Sequence, residues 1–299
     1  MADDIRWRYY VVAYLDVLGQ KEAFHNVDRI PSNEDEKTRL IETLKKTFGF
    51  LGTFRSGFKS YFSQLVQPTE IGEKIPEDKK VLFEQMRGSD IHFSQFSDFV
   101  IAWAPLEMGS HPCVQINSIW GILTASASMF ILSLFARHAI RGGIEVGTGL
   151  EMDTGEPYGP ALNKAYSLES RIADYPRIVV GGQLIDYLRS HSVMVGEDVM
   201  TRYAKEHASR CLNMVKRDTD GFPFLDWLGK DIENLFKIVQ TPNPKASTEQ
   251  ILQGVGRFIL EEKEKFALRQ DAKLVERYTK LGNYFHSQIA NWEAWKKSS

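Results

Sequence analysis

The sequence predicts an α+β fold in which an antiparallel sheet carries helices on one face and a mainly helical C-terminal extension follows. Three observations carry that expectation. Short apolar, β-branched runs alternate with long helical patterns over residues 8 to 182. Two of the runs, in "SDIHFSQFSDFVIAWAP", lie close enough together to form a hairpin. From about residue 246 to 296 the text becomes periodic and charged, as amphipathic helices do.

The elements follow in order. Residues 8 to 15 alternate and branch as a strand; after the turn "GQKEAFHNV", the start signal "SNEDEK" opens a helical pattern through about residue 63. Residues 66 to 80 are a polar loop. The hairpin comes next, its tight turn near Gln95 to Ser97, and then the uncharged stretch of residues 113 to 138 reads as a helix. "AIRGGIEVGTG" is a strand, "DTGEPYGPA" a turn, residues 160 to 173 a helix and "PRIVVGG" another strand. The order is β-α-β-β-α-β followed by α-β, and it resembles a ferredoxin-like palm. "KRDTDGFPFLDWL" reads as a further strand and turn, and the periodic tail as one or two helices. The expected division is residues 1–190 as the palm and 191–299 as a further strand and helical region packed on it.

Composition narrows the function. With 299 residues, 43% hydrophobic and 25% charged, the chain can bury a large core as one large domain or two smaller ones. The formal charge of −2 and a pI near 6.4 provide no basic footprint for a nucleic-acid backbone, so no nucleic-acid partner is expected. Cys113 and Cys211 are too few and too distant for a disulfide framework or a thiolate metal site, and "MADDIRWRYY" has no apolar signal segment. A reducing cytoplasm is the expected location. "CVQINSIWGILTASASMFILSLFA" is long enough to cross a bilayer, yet it is rich in Ser and Thr and has no aromatic belt or strong basic flank. A helix buried against the sheet is expected, and no membrane span.

Two acids stand where the strand pattern makes them conspicuous: Asp16 at the end of the first strand, in "VVAYLDVLGQKEAF", and Asp98 in the hairpin turn, in "FSQFSDFV". In a β-α-β-β-α-β palm the first strand lies beside the hairpin, so the two side chains can converge. Clustered carboxylates repel unless a divalent cation holds them, and Mg²⁺ or Mn²⁺ needs only a few protein oxygens when phosphates complete its shell. The plainer alternative is that Asp16 caps the following helix and Asp98 satisfies the turn.

"YLDVLGQ" resembles the first metal-binding strand of class III nucleotidyl cyclases, "FSDFV" is similar to that family's second metal Asp, and "EPYGPALNKAYSLE" resembles its Gly-x-x-x-Asn segment. The three occur in the family's order, covering roughly residues 8 to 182. The resemblance implies that Asp16 and Asp98 ligate two Mn²⁺ or Mg²⁺ ions, with the Val17 carbonyl as a further ligand. It implies that the amides of Leu18, Gly19 and Gln20 cradle a triphosphate, and that Asn163 reaches the ribose from the partner subunit of a homodimer with its sites at the interface. The reaction it implies is attack of the ribose 3′-hydroxyl on the α-phosphorus, with pyrophosphate leaving.

The pattern also departs from that family. The base-reading Lys and Asp of purine cyclases correspond here to Ser94 and Glu156, and the arginine expected four residues after Asn163 is Ser167. Tyr166 is placed to fill the room a smaller base leaves. With "RGGIEVG" and "DGFPFLDWL", the chain resembles the divergent bacterial pyrimidine cyclases of Pycsar antiphage systems. These make cyclic UMP or cyclic CMP from UTP or CTP, and the product activates a separate effector. UTP is the expected substrate ahead of CTP; the alternative is a degenerate cyclase-homology module that binds nucleotide or a partner without turnover. Arg141 and Lys21 are read chiefly as surface partners of acids, with phosphate or base contact as the alternative. His25, His92, His111 and His138 have no metal-ligand spacing, and no G-x-S-x-G elbow is present.

Overall fold

The structure, a computed structural model, describes residues 7–19, 29–66, 80–81, 91–96, 98–106, 112–151, 157–238 and 246–292. Strand β1 (Trp7–Val17) is apolar at successive positions because both of its faces are covered. Val11, Ala13, Leu15 and Val17 point into the main core, where they meet helices α1 (Glu34–Val66) and α2 (Pro112–Phe135). Tyr10 and Val12 point the other way, onto Ala161 and Ala165 of helix α3 (Pro160–Ser167). The two helices of the β-α-β-β-α-β core, α1 and α2, lie on one side of the palm as expected, and the shorter α3, which follows that core, covers the other.

Strands β2 (His92–Phe96) and β3 (Phe99–Leu106) form the expected hairpin, and β4 (Ile140–Glu151) flanks β1 on its other side. The order β2-β3-β1-β4, all antiparallel, is that of a β-α-β-β-α-β palm. The short β5 (Pro157–Tyr158) pairs with the end of β4, and β6 (Ile178–Val180) lies parallel to it. Beyond residue 190 the sheet continues through β8 (Pro223–Leu225) and β7 (Val215–Arg217), a hairpin where one strand and a turn were expected. Helices α4 (Gly182–Ser192), α5 (Val199–Asn213), α6 (Lys230–Ile238), α7 (Thr248–Leu268) and α8 (Ala272–Ile289) complete the chain.

Glycines decide how α3 docks. A Cβ on Gly143 would lie 2.2 Å from the Ala165 carbonyl oxygen and 2.6 Å from the Leu168 Cβ, so "RGGIEVG" brings the helix into backbone contact with β4. After Ser167 the helix widens into a π-helical turn, Leu168–Ile172.

The uncharged α2 lies under the sheet. Val114–Phe135 is the single helix among the described residues long and apolar enough to cross a membrane, and 89% of its most apolar window is buried inside the protein. Two of its buried hydroxyls return to their own helix, Thr124 donating to the Trp120 carbonyl at 2.6 Å and Ser133 to the Met129 carbonyl at 2.7 Å, while those of Ser126 and Ser128 have no hydrogen-bond partner among the described residues.

Helix α5 packs His207 against α2, between the rings of Trp120 and Tyr203. Its Nδ1 is buried without a hydrogen-bond partner among the described residues. Burial, aided by Arg210, holds its pKa down at about 4. The unfolded chain therefore takes up a proton near pH 6.5 that the native state refuses until about pH 4. Urea unfolding at pH 7.5 and pH 4.5 is expected to show a loss of about 2–3 kcal/mol from this histidine, and that component of the loss is expected to vanish in His207→Phe.

Candidate active site

Pairing of β1 with its two neighbours lines up side chains across the palm. Phe99, Asp16 and Arg141 form one row, and Ser94, Ile101, Tyr14 and Gly143 form the next row on the same face. This is the face α3 covers. The Tyr14 ring stacks on Phe99 at 4.9 Å and meets the Tyr166 ring edge-on at 5.3 Å, so the structure brings Tyr166 beside the strand that carries Asp16.

Asp98 sits in the bend between β2 and β3, and its carbonyl accepts the Val17 N–H at 2.9 Å, tying the end of β1 to the hairpin. Both acids act on the Tyr14 hydroxyl. Burial raises its pKa well above the usual phenol range, and the charges of Glu169, Asp16 and Asp98 raise it further. The charges of Asp16 and Asp98 are thus both felt at Tyr14.

The turn after Asp16 is described as far as Gly19; Gln20 lies outside the described residues. Gly19 has φ +86°, which only glycine adopts readily, and a Cβ there would meet nothing within 4 Å, so the turn's backbone sets the requirement. The Leu18 N–H donates to the Ala139 carbonyl at 2.9 Å, which anchors the turn to the strand after α2. Gly159, φ +128°, opens α3, and its carbonyl accepts the Asn163 N–H at 3.1 Å. Asn163 is exposed one turn inside the helix. The Ser167 hydroxyl donates to the Asn163 carbonyl at 2.8 Å. Glu156 lies outside the described residues.

Two features go beyond the sequence reading. Arg141 is a partner of acids, as read, but a largely buried one beside Asp16 rather than a surface one, its Nη2 lying 3.3 Å from Asp16 Oδ2 and 2.5 Å from Glu169 Oε1. Glu169 comes from the π-helical turn and is buried, with its side chain 4% exposed. Burial and the neighbouring Asp16 push its pKa up, against the opposing pull of Arg141. Spacing does carry a signal for Glu169: it continues the stripe of Ala161 and Ala165 at intervals of four, an acid on the face that meets the sheet. Glu145 is the second case. Buried on β4, it accepts N–H groups from Leu184 at 2.7 Å and Gln183 at 3.4 Å, at the positive end of α4.

The oxygens of Asp16, Asp98 and the Val17 carbonyl are of the hard kind that Mg²⁺ or Mn²⁺ takes, and the Asp16 carboxylate is paired with the Arg141 guanidinium. Among the described residues, no group of three or more His, Cys, Asp and Glu side chains is arranged to hold a metal ion. A cation at Asp16 and Asp98 would take its remaining ligands from backbone, water and substrate.

No protein-family model matches the chain, and no curated protein matches it. Among solved structures, the crystal structure of a class III adenylyl cyclase-like ATP-binding protein from Pseudomonas aeruginosa is similar over 86% of this chain and 44% of that chain, with a TM-score of 0.38 and 10% identity. The chain thus spans less than half the length of that protein, and the palm assignment rests on strand order and pairing.

Proposed function

We propose that the chain is a metal-dependent nucleotidyl cyclase that converts a pyrimidine nucleoside triphosphate, UTP ahead of CTP, to the 3′,5′-cyclic monophosphate and pyrophosphate. The observation that supports this reading is that the residue after Asp16 is tied by its backbone to Asp98 in the hairpin bend, so that the charges of both acids act on Tyr14. Bound Mn²⁺ or Mg²⁺ supplies activation of the attacking hydroxyl and neutralisation of the polyphosphate. The chain's own part is positioning: Asp16, Asp98 and the Val17 carbonyl would hold the cations, and the turn at Gly19 would present backbone to the phosphates, the Leu18 N–H being already held by the Ala139 carbonyl. Tyr166, packed on Tyr14, narrows the face on which Ser94 also lies, in keeping with a one-ring base. Exposed Asn163 is available to a second copy of the chain, which fits a homodimer with shared sites. In this reading the cyclic nucleotide is a second messenger that activates an antiviral effector in the cytoplasm.

One observation favours a second reading, a cyclase-homology module that binds nucleotide or a partner without turnover. Ser167 stands where the class III family carries a charge-stabilising arginine, and its hydroxyl is spent on its own helix. Incubation with ATP, GTP, CTP and UTP in the presence of Mn²⁺, followed by chromatographic product analysis, separates the two. Cyclic UMP as the dominant product is expected. Nucleotide binding with no cyclic product from any of the four would establish the module, and faster turnover of ATP or GTP would overturn the pyrimidine assignment.

A further inference from the structure

Arg141 stands directly across from Asp16 in the β1–β4 pairing and touches two carboxylates unequally. Its contact with Glu169 is a close ion pair, 2.5 Å, with no aligned hydrogen bond, to a side chain 4% exposed; its contact with Asp16 is a longer hydrogen bond, 3.3 Å, to a side chain 22% exposed, so the two differ most in burial. The difference fixes which contact yields. Leaving Glu169 would strand a buried charge, whereas leaving Asp16 exposes a carboxylate that water or a cation can reach. The π-helical turn that carries Glu169 is itself pinned, since the Glu169 backbone nitrogen lies 3.0 Å from where a Cβ on Gly143 would stand. Arg141 is thus held from behind, and its buried Nε has no hydrogen-bond partner among the described residues.

We infer that Arg141, anchored by Glu169, is a positioning residue for Asp16: it occupies the carboxylate as a built-in cation, and a divalent metal ion must share or displace that contact to bind. This rests on the reading of Asp16 as a metal ligand. Its consequences have opposite signs at the two ends of the pair. Without Arg141 the metal meets no competitor and no like charge; without Glu169 the guanidinium has only Asp16 to hold, and the metal competes harder. A merely structural Arg141–Glu169 pair would move metal affinity in neither direction, or in the same direction through loss of structure.

The test is Mn²⁺ binding to the full chain without nucleotide, followed by the electron paramagnetic resonance signal of free Mn²⁺. Arg141→Gln is expected to tighten Mn²⁺ binding about tenfold and Glu169→Gln to weaken it about tenfold, the scale of one unit charge at contact distance in a partly solvated site. Arg141→Gln alone leaves Glu169 buried and unpaired. The double variant Arg141→Gln/Glu169→Gln removes both charges, and it too is expected to bind Mn²⁺ more tightly than wild type. Equal or weaker binding by a folded Arg141→Gln or double variant overturns the inference while leaving the metal reading intact. Unaltered Mn²⁺ binding in Asp16→Asn overturns both.

Discussion

Asp16→Asn and Asp98→Asn are each expected to lower Mn²⁺-dependent formation of cyclic nucleotide about 10³-fold, since each removes a charged ligand from the groups that gather the cations and the triphosphate. Asparagine preserves shape, so the loss is one of charge. Stability changes little at Asp16, because removing its charge also relieves repulsion on Glu169. The measurement is initial rate at saturating Mn²⁺ with thermal melting of each variant alongside. Turnover within tenfold of wild type in both variants would sink the metal assignment. Loss in Asp16→Asn alone would mean that Asp98 serves the hairpin turn, the plainer reading of an Asp in that position, and loss in Asp98→Asn alone would remove Asp16 from the metal ligands.

Trp227→Ala is expected to cost about 3–5 kcal/mol of global stability, the range for emptying a large buried aromatic site. Trp227 is 1% exposed, and its ring lies 5.0 Å from Phe130 of α2 and 5.1 Å from Tyr284 of α8. One side chain therefore joins the apolar helix under the palm to the last helix of the chain. Nearby contacts close the same joint: Tyr284 donates to Asp226 and accepts the Leu228 N–H at 3.1 Å, and the Trp292 indole donates to the Leu228 carbonyl at 2.8 Å. The buried core runs without a break from Val11 of β1 to Trp292. Urea unfolding followed by both tryptophan fluorescence and far-UV circular dichroism is expected to show one coincident transition, shifted to lower urea in the variant. Two separated transitions, with only one displaced, would mean that residues 191–299 unfold apart from the palm.

Much of the palm was legible because its signals are local. β1 is branched and apolar, β2 and β3 are divided by a bend two residues long, and α2 is uncharged from end to end. The end of β1 and the bend of the hairpin each expose an acid for the same local reason, so Asp16 and Asp98 stood out before any pairing was known. Helices α5 and α6 did not: their stripes are short and broken by polar residues, and their apolar positions gain meaning only against α2 and the extended sheet. The glycines of "RGGIEVG" marked a special strand without saying what approached it. The close docking of α3 on Gly143 provides the reason.

The sequence by itself determined the order of strands and helices within the palm, the place of an acid at each of two strand ends, and the apolar character of the helix beneath them. These follow from periodicity and turn chemistry within a few residues. The tertiary structure alone decided what stands next to those acids. Arg141 meets Asp16 across a separation of 125 residues, and Glu169 meets Arg141 because α3 widens into a π-helical turn over a glycine. Strand register and helix docking are non-local choices, settled by which faces bury together. A carboxylate–arginine–carboxylate chain built on them leaves no repeating trace in the text.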